Sequence, residues 1–362
     1  MLAAIAALAP LWAFSQILIG QTAGITGIVA AGVKETTDGA KLWIDSVNAK
    51  GGVNGQKIEL VSLDDKFDPK LAAANAKTLI EQKNVVALFL VRGTPHSEAI
   101  LPLLDQHGVC LVAPSTGAMS LHQPVKKYVF NVRATYQREA EKAVTHLASM
   151  GVARIAIVYA DDSFGADALE GARKGFQKAN LEPLVVIKAD RLKPDYKAIV
   201  PQITGKDAQA VLWLGSGNAV AEGVKALRAE RSAAQVVTLS NNASSGFVKS
   251  LGDSARGVIV TQVFPYEHSY AYGFIKEAMA LAKAKNVDLT PAMLEGYAAA
   301  KVLVEGLRRA GPNPTRQKLC TALENMHGYD IGGLDITYGP DDHTGLDFAD
   351  LSIIGQDGKF KR

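Results

Sequence analysis

Short apolar runs alternate with amphipathic stretches along most of the chain. In residues 38–52, DGAKLWIDSVNAKGG, apolar side chains recur at positions 40, 43, 44 and 47, and two glycines end the pattern as they would end a helix. KIELVSLDD then alternates like a strand, and Asp68-Pro69 supplies a cap and a first-turn proline for the next helix. The alternation continues to about residue 240, with strands that are apolar on both faces. It predicts parallel sheets covered by helices.

The length of the chain predicts two lobes with a cleft between them. A chain of 362 residues exceeds the size at which one core keeps growing, so we expect two lobes. Its composition, 48% hydrophobic and 21% charged, is typical of a globular protein. The 39 Lys and Arg residues barely exceed the 36 Asp and Glu residues and are dispersed, which argues against nucleic acid as the main partner.

The first fifteen residues, MLAAIAALAPLWAFS, form a short apolar run that ends in a small-x-small pattern. This is typical of a signal peptide cleaved before Gln16, and it indicates export. No Lys or Arg precedes the run, so a buried first helix is the alternative interpretation. No other stretch is apolar over the roughly 18 residues that span a bilayer.

The sequence contains two cysteines, Cys110 in the strand-like GVCLVAP and Cys320 in the helical TRQKLCTALENM. Export would allow them to oxidise, but we expect two buried free thiols, and two thiols are too few for a metal site.

Five loops follow the predicted strands at the edge where open parallel sheets bind ligands. Four of them are built from Gly, Ser, Thr and Asn, which expose backbone N–H groups and hydroxyls. Each loop alone is explained by ordinary helix capping, but two lobes would aim all five at one cleft. The loops are VRGTP (91–95), APSTGA (113–118), YADDSFG (159–165), GSGNA (215–219) and SNNASS (240–245).

The first of these loops suggests an anionic ligand. Thr94 is placed to cap a helix that begins at Pro95, and the unpaired donors of Gly93 and Thr94 favour a carboxylate. Arg92 has two interpretations: it pairs a ligand carboxylate, or it forms a salt bridge with a neighbour at the sheet edge.

Several long motifs point to a family. These are NAKGG, DD...DP, GVCLVAPSTGA, RIAIVYADDSFGADALEG and LEGYAAAKVLVEGLRRAG, at their spacings. The chain resembles the periplasmic solute-binding receptors of the branched-chain (hydrophobic) amino acid ABC importers over about residues 16–362. The resemblance implies a type I periplasmic binding fold, in which two doubly wound parallel-sheet lobes are joined by three crossing strands and clamp a ligand without reacting with it.

The resemblance also implies the lobe boundaries. Lobe 1 would comprise residues 16–133 and 263–338, and lobe 2 would comprise residues 134–262 and 339–362. The crossings would fall near residues 131–135, 261–265 and 336–339.

The family's ligand contacts are carried over one position at a time. The turn at Gly93-Thr94 and the turn after Pro114 would hold the ligand carboxylate, the second through Ser115 and Thr116. Gly117 stands where members of the family have a threonine. Phe164 matches an aromatic residue that covers the ligand.

Two departures put an α-amino acid in doubt. The glutamate that pairs the ligand ammonium falls at Ser240, with no acidic residue nearby, and a second aromatic residue falls at Ser216. A buried, unpaired ammonium costs several kcal/mol. Neutral hydrogen bonding by Ser240, Asn241 and Asn242 suits an amide, a hydroxyl or a ring substituent. We therefore expect a small carboxylate, either an aromatic or a hydroxy acid, with an amino acid as second choice.

Two tyrosines follow the expected crossings. Tyr136 and Tyr266 would either line the floor of the cleft or pack at the hinge.

Other functions find less support in the sequence. The motifs G-x-S-x-G, G-x-G-x-x-G, G-x-x-x-x-G-K-[ST] and H-E-x-x-H do not occur, so we expect no enzyme, cofactor or metal, and a hydrolase is the remote alternative. A ligand-sensing receptor for a signalling partner is a second class. The expected protein is a soluble periplasmic monomer that binds a small molecule and an inner-membrane permease.

Overall fold

The computed structural model describes residues 16–362, and the signal-peptide prediction falls outside them. Lobe 1 is built on a parallel sheet of β1 (Ile17–Ala23), β2 (Ile58–Asp64), β3 (Ala87–Phe89), β4 (Cys110–Val112) and β5 (Val129–Phe130). The strand order is β2-β1-β3-β4-β5. Helices α1 (Ala30–Ala49), α2 (Pro69–Glu81) and α3 (Thr94–His107) alternate with the strands. The predicted α/β alternation is confirmed here.

Lobe 2 is built on a second sheet. Its strands are β6 (Ile155–Ala160), β7 (Val185–Ala189), β8 (Ala210–Leu214), β9 (Gln235–Thr238) and β10 (Ile259–Gln262). The helices are α4 (Tyr136–Ser149), α5 (Ser163–Ala179), α6 (Tyr196–Thr204), α7 (Gly217–Ala229) and α8 (Ser245–Leu251).

After β10 the chain returns to lobe 1. Helices α9 (Gly273–Ala284), α10 (Pro291–Ala310) and α11 (Arg316–Glu324) pack there. The hairpin of β11 (Tyr329–Asp330) and β12 (Asp335–Ile336) follows. Helix α10 lies very close to α1, since a Cβ atom on Gly296 would be 1.7 Å from the Thr36 carbonyl oxygen. Only glycine allows this approach.

The chain ends on the sheet of lobe 2. Strand β13 (Asp350–Ile354) pairs with β10 and β14 (Phe360–Lys361) pairs with β13, both antiparallel. The sheet of lobe 2 therefore has an antiparallel edge that the predicted parallel sheets did not include. Strand β13 enters the sheet in the opposite direction after the chain has passed through lobe 1, and β14 follows it directly as a hairpin.

The segments that pass between the lobes lie side by side. The Asn131 N–H donates to the His343 carbonyl oxygen at 2.9 Å, and the Leu346 N–H donates to that of Val132 at 3.0 Å. The lobe boundaries drawn from the sequence remain a prediction.

The two cysteines form a disulfide, so the expectation of free thiols is wrong. Cys110 lies in β4 and Cys320 in α11, and their Cα atoms are 5.8 Å apart, within the range that a disulfide spans. The two residues are 210 positions apart in sequence, so no local pattern could indicate their proximity.

Candidate ligand site between the lobes

The loops at the strand ends of the two lobes are in direct contact. Arg92 of lobe 1 is 6% exposed, and its Nη2 atom donates to the Asn241 carbonyl oxygen of lobe 2 at 2.7 Å. Nearby, a Cβ atom on Gly217 of lobe 2 would lie 2.1 Å from the Ile28 carbonyl oxygen of lobe 1. A cavity beside Arg92 and Asn241 measures about 20 Å³, the space of about one water molecule. The structure therefore represents a closed arrangement of the lobes.

The first turn of α3 differs from the predicted cap. Gly93, not Thr94, precedes the helix, and its φ of 102° is a conformation that favours glycine. Thr94 becomes the first helical residue, and its hydroxyl is hydrogen-bonded to the Thr116 hydroxyl at 2.7 Å in a buried position. Because first-turn N–H groups have no partner within a helix, the turn retains donors for an anion.

The second turn of lobe 1 is tied to Arg92 and to α10. The Arg92 Nη1 atom donates to the Ser115 Oγ atom at 2.9 Å, and the Ser115 hydroxyl donates to Glu295 at 2.6 Å. The Gly117 carbonyl oxygen accepts the Tyr136 N–H at 2.7 Å. A Cβ atom on Gly117 would lie 2.6 Å from the Ala134 carbonyl oxygen, so this backbone leaves no room for a threonine.

Ser240 has an acidic neighbour, which corrects the expectation that none is nearby. The Ser240 N–H donates to Glu139 Oε2 at 2.9 Å, and the Ser240 hydroxyl accepts a hydrogen bond from Arg133 at 2.9 Å. Glu139 also pairs with Arg133 and accepts a hydrogen bond from Thr261. Glu139 lies on α4, 101 positions from Ser240, so the sequence around Ser240 gave no sign of it.

Charge pairing at the site leaves one guanidinium group without a carboxylate. Arg133 contacts both Glu139 and Glu295, the second at 3.8 Å, and Arg191 pairs with Asp162. In the described part of the chain, Arg92 forms no salt bridge, and its two hydrogen bonds go to neutral oxygens. The predicted alternative of a salt bridge at the sheet edge is therefore wrong.

Aromatic rings from both lobes line one side of the site. The rings of Tyr136 and Phe164 meet edge to face at 4.9 Å. Phe67 of lobe 1 stacks on His96 at 4.5 Å, and the Arg191 guanidinium lies over both Phe67 and Phe164. Burial and the nearby Arg191 lower the pKa of His96 to about 4, so its imidazole is neutral at pH 7.

The remaining sequence-predicted residues divide into two groups. Ser216 and Asn241 lie in the site, where the Asn241 side chain donates to the Ser216 hydroxyl at 3.2 Å. Tyr266 is half-buried, and its one described ring contact is with His268. No contact brings Tyr266 to the other predicted residues.

Sequence reasoning missed six residues of the site. A single basic, acidic or aromatic residue inside a helix or loop carries no local signature, so only the folded arrangement identifies them. They are Phe67, His96, Arg133, Glu139, Arg191 and Glu295.

The arrangement provides hydrogen-bond donors, fixed charges and rings around an enclosed space. Within residues 16–362, no group of three or more His, Cys, Asp or Glu residues is arranged to hold a metal. No helix in the same range is long and apolar enough to cross a membrane. Fold and site together define a two-lobed protein whose strand-end loops meet in a site between the lobes.

Comparison with known sequences identifies the family of two-lobed proteins to which the chain belongs. Residues 16–349 match the family model described as periplasmic binding protein, and the chain belongs to this family. A similar curated protein is the Leu/Ile/Val-binding protein BraC3 of Rhizobium johnstonii, 28% identical over 347 residues that cover 92% of this chain and 90% of that protein. The Leu/Ile/Val-binding protein of Escherichia coli is 24% identical, covering 82% and 80% respectively.

Solved structures agree with this assignment. A substrate-binding periplasmic protein from Ralstonia solanacearum superposes with a TM-score of 0.87 at 30% identity, covering 95% of this chain and 99% of that one. A branched-chain amino acid ABC transporter protein from Thermus thermophilus with bound valine has a TM-score of 0.83 at 17% identity, covering 96% and 95%. The second likeness concerns the fold alone.

Proposed function

We propose that this protein is the periplasmic receptor of an ABC importer and that it carries a small carboxylate-bearing solute to a membrane permease. It performs no chemistry on the solute and acts as a soluble monomer. The observation that supports this most directly is the buried Arg92, which joins the lobes and has only neutral oxygens as partners. A solute carboxylate supplies the missing negative charge.

The solute is expected to lack an ammonium group. Arg133 lies between the carboxylates of Glu139 and Glu295, so both carboxylates near Ser240 already contact a cation, which they share. An ammonium would have to compete with a guanidinium that is 2% exposed. Breaking a buried ion pair costs about 3–5 kcal/mol, which favours a solute that is an anion and not a zwitterion.

The rings at the site favour an aromatic or hydroxy acid. Phe67, Tyr136 and Phe164 present apolar faces and edges beside the charged groups, and flat rings pack well in such surroundings. A branched-chain amino acid is the second candidate, because similar proteins are named Leu/Ile/Val-binding proteins.

Binding is proposed to be coupled to closure. The solute docks on the turns of Gly93-Thr94 and Ser115 in the open form, and lobe 2 closes over it by hinge rotation. The permease then releases the solute by stabilising the open form. Ligand affinity drives closure only by its difference between the two forms.

A thermal-shift screen on protein that has been unfolded and refolded to strip ligand tests this function. The panel contains benzoate, 4-hydroxybenzoate, lactate, benzamide and leucine. At a hundredfold excess over the dissociation constant, a true ligand stabilises the fold by about 2.7 kcal/mol. We expect carboxylates without an ammonium to give the largest shifts.

Substitution of Arg92 provides the matching test. Arg92→Met should weaken binding of the best carboxylate by about 30-fold or more, the equivalent of about 2 kcal/mol for one partner of a buried charge pair. Arg173→Met is the control, because Arg173 is exposed on lobe 2 and contacts only Glu170. A thermal shift with leucine alone would refute the proposal that the solute lacks an ammonium group. Unchanged carboxylate binding by Arg92→Met would refute the proposal that Arg92 binds the solute carboxylate.

A further inference from the structure

Arg191 lies between aromatic rings that belong to different lobes. Its guanidinium carbon is 4.8 Å from the ring centroid of Phe67 in lobe 1 and 4.7 Å from that of Phe164 in lobe 2. The side chain is 11% exposed. Arg191 lies in the segment between β7 and α6.

Lobe 2 alone fixes the orientation of this side chain. Arg191 pairs with Asp162, whose carboxylate also caps α5 by accepting the Gly165 N–H at 3.0 Å. The Arg191 Nη2 atom donates to the Ser216 hydroxyl at 3.0 Å. The ring contact with Phe67 is made by lobe 1, whereas the ion pair with Asp162 and the hydrogen bond to Ser216 lie within lobe 2.

The two residues that donate to the Ser216 hydroxyl each have a buried polar atom without a partner in the described residues. These are the Arg191 Nε atom and the Asn241 Oδ1 atom. Asn241 is 8% exposed. A buried donor or acceptor left unpaired costs about 1–3 kcal/mol, so a group that pairs these atoms gains that amount on binding.

The chemistry of these atoms selects the group. Arg191 Nε–H is a donor, Asn241 Oδ1 is an acceptor, and a hydroxyl both accepts and donates. Asp162 already balances the charge of Arg191, so a second carboxylate would add an unbalanced buried charge. A neutral hydroxyl therefore fits better than an anion.

The geometry also separates this position from the carboxylate anchor. Arg92 binds the backbone oxygen of Asn241, whereas Arg191 is linked to the Asn241 side chain through the Ser216 hydroxyl, which accepts from both. The two arginines thus reach the same asparagine through different groups, its backbone for Arg92 and its side chain, by way of Ser216, for Arg191.

We propose that Arg191 is a specificity-determining residue which, together with Asn241, binds a neutral hydroxyl of the solute, while Arg92 holds the carboxylate. This inference rests on the proposed function, and it narrows the solute class to hydroxy acids.

The test compares matched acids that differ only in this group. Titration calorimetry measures the dissociation constants of benzoate, 3-hydroxybenzoate, 4-hydroxybenzoate and terephthalate for the full chain, for Arg191→Met and for the control Arg173→Met. One additional hydrogen bond is worth about tenfold in affinity. We expect the unsubstituted protein and Arg173→Met to bind the better hydroxybenzoate about tenfold more tightly than benzoate, and terephthalate more weakly than that hydroxybenzoate.

In Arg191→Met the ratio of the dissociation constant of benzoate to that of the better hydroxybenzoate should fall to within about twofold of unity. The ratio is the readout, because both affinities can change when the ring contacts change. If Arg191→Met does not fold, Ser216→Ala replaces it, since this change removes only the hydroxyl that positions the guanidinium. Ser216→Ala should reduce the ratio by about threefold or more.

The outcomes separate the two proposals. A ratio that persists in the folded variant, a ratio near unity in the unsubstituted protein, or tighter binding of terephthalate would overturn the role of Arg191. In each of these cases the receptor function is still supported if benzoate binds and Arg92→Met weakens its binding. If none of the four acids binds the unsubstituted protein, the inference about Arg191 fails together with the aromatic-acid assignment, and the thermal-shift panel with lactate and leucine decides the receptor function.

Discussion

The carboxylate of Glu35 lies at the edge of the site and contacts both lobes. Glu35 lies on α1 of lobe 1 and accepts hydrogen bonds from the N–H groups of Ser245 and Gly246, both at 3.0 Å. These residues begin α8 of lobe 2. The Thr290 hydroxyl of lobe 1 donates to the same carboxylate at 2.8 Å and holds it in position. We predict that Glu35→Gln weakens solute binding although Glu35 does not contact the solute.

The size of the effect follows from the bonds that are lost. Glutamine retains one acceptor oxygen but loses the charge and the second acceptor. A hydrogen bond to a charged group contributes about 1.5–3 kcal/mol, and a negative charge at a helix start about 0.3–1 kcal/mol. Because the rim is partly exposed, we expect the closed form to lose about 1.5–2.5 kcal/mol relative to the open form, or about 10–70-fold in their ratio.

Calorimetry of the best carboxylate measures this effect. If the unliganded protein is mostly open, the dissociation constant of Glu35→Gln rises by the same factor, and small-angle scattering should show a larger radius of gyration at equal solute concentration. Glu59→Gln is the matched control, since Glu59 is exposed on β2. A dissociation constant within threefold of the unsubstituted value, with Glu35→Gln folded, would show that this contact does not control closure.

Two further predictions concern stability. The disulfide between Cys110 and Cys320 closes a loop of about 210 residues, so replacing both by serine should lower the free energy of unfolding by about 3–5 kcal/mol in urea titrations; equal stability with and without dithiothreitol would contradict this. Burial raises the pKa of Asp167 from 3.8 to about 6, so the folded protein holds this proton more tightly and stability should fall as the pH rises from about 4 to about 6. Asp167→Asn should reduce the fall of the melting temperature over that range without abolishing it, because burial also raises the pKa of Asp65 to about 6; a pH profile identical to that of the unsubstituted protein would contradict the prediction.

Features with local chemistry were predictable from the sequence. Helix α2 begins at Pro69, and Asp68 caps it by accepting the Lys70 N–H at 2.7 Å, because both signals act within three residues. The contact between the loops that carry Arg92 and Asn241 agrees with the prediction that two lobes aim the loops at their strand ends at one cleft.

Features that depend on distant contacts were not predictable. Glu139 faces Ser240, and Cys110 faces Cys320, across more than a hundred positions of sequence. The antiparallel β13 also differs from the expected parallel pattern. No periodicity or motif spacing records which loop meets which helix, so the charge balance of the site had to come from the structure.

That charge balance explains why closure should require a solute. A chain of contacts links Ser115 of lobe 1 to Glu295, then to Arg133, and from there to Glu139 of lobe 2. In this chain the two carboxylates share one guanidinium, that of Arg133. Closing the lobes also buries Arg92, which has no carboxylate in direct contact, and a buried guanidinium without a direct counter-charge is costly. An anionic solute removes that cost only in the closed form, and this difference between the two forms is the quantity that allows a ligand to shift the equilibrium.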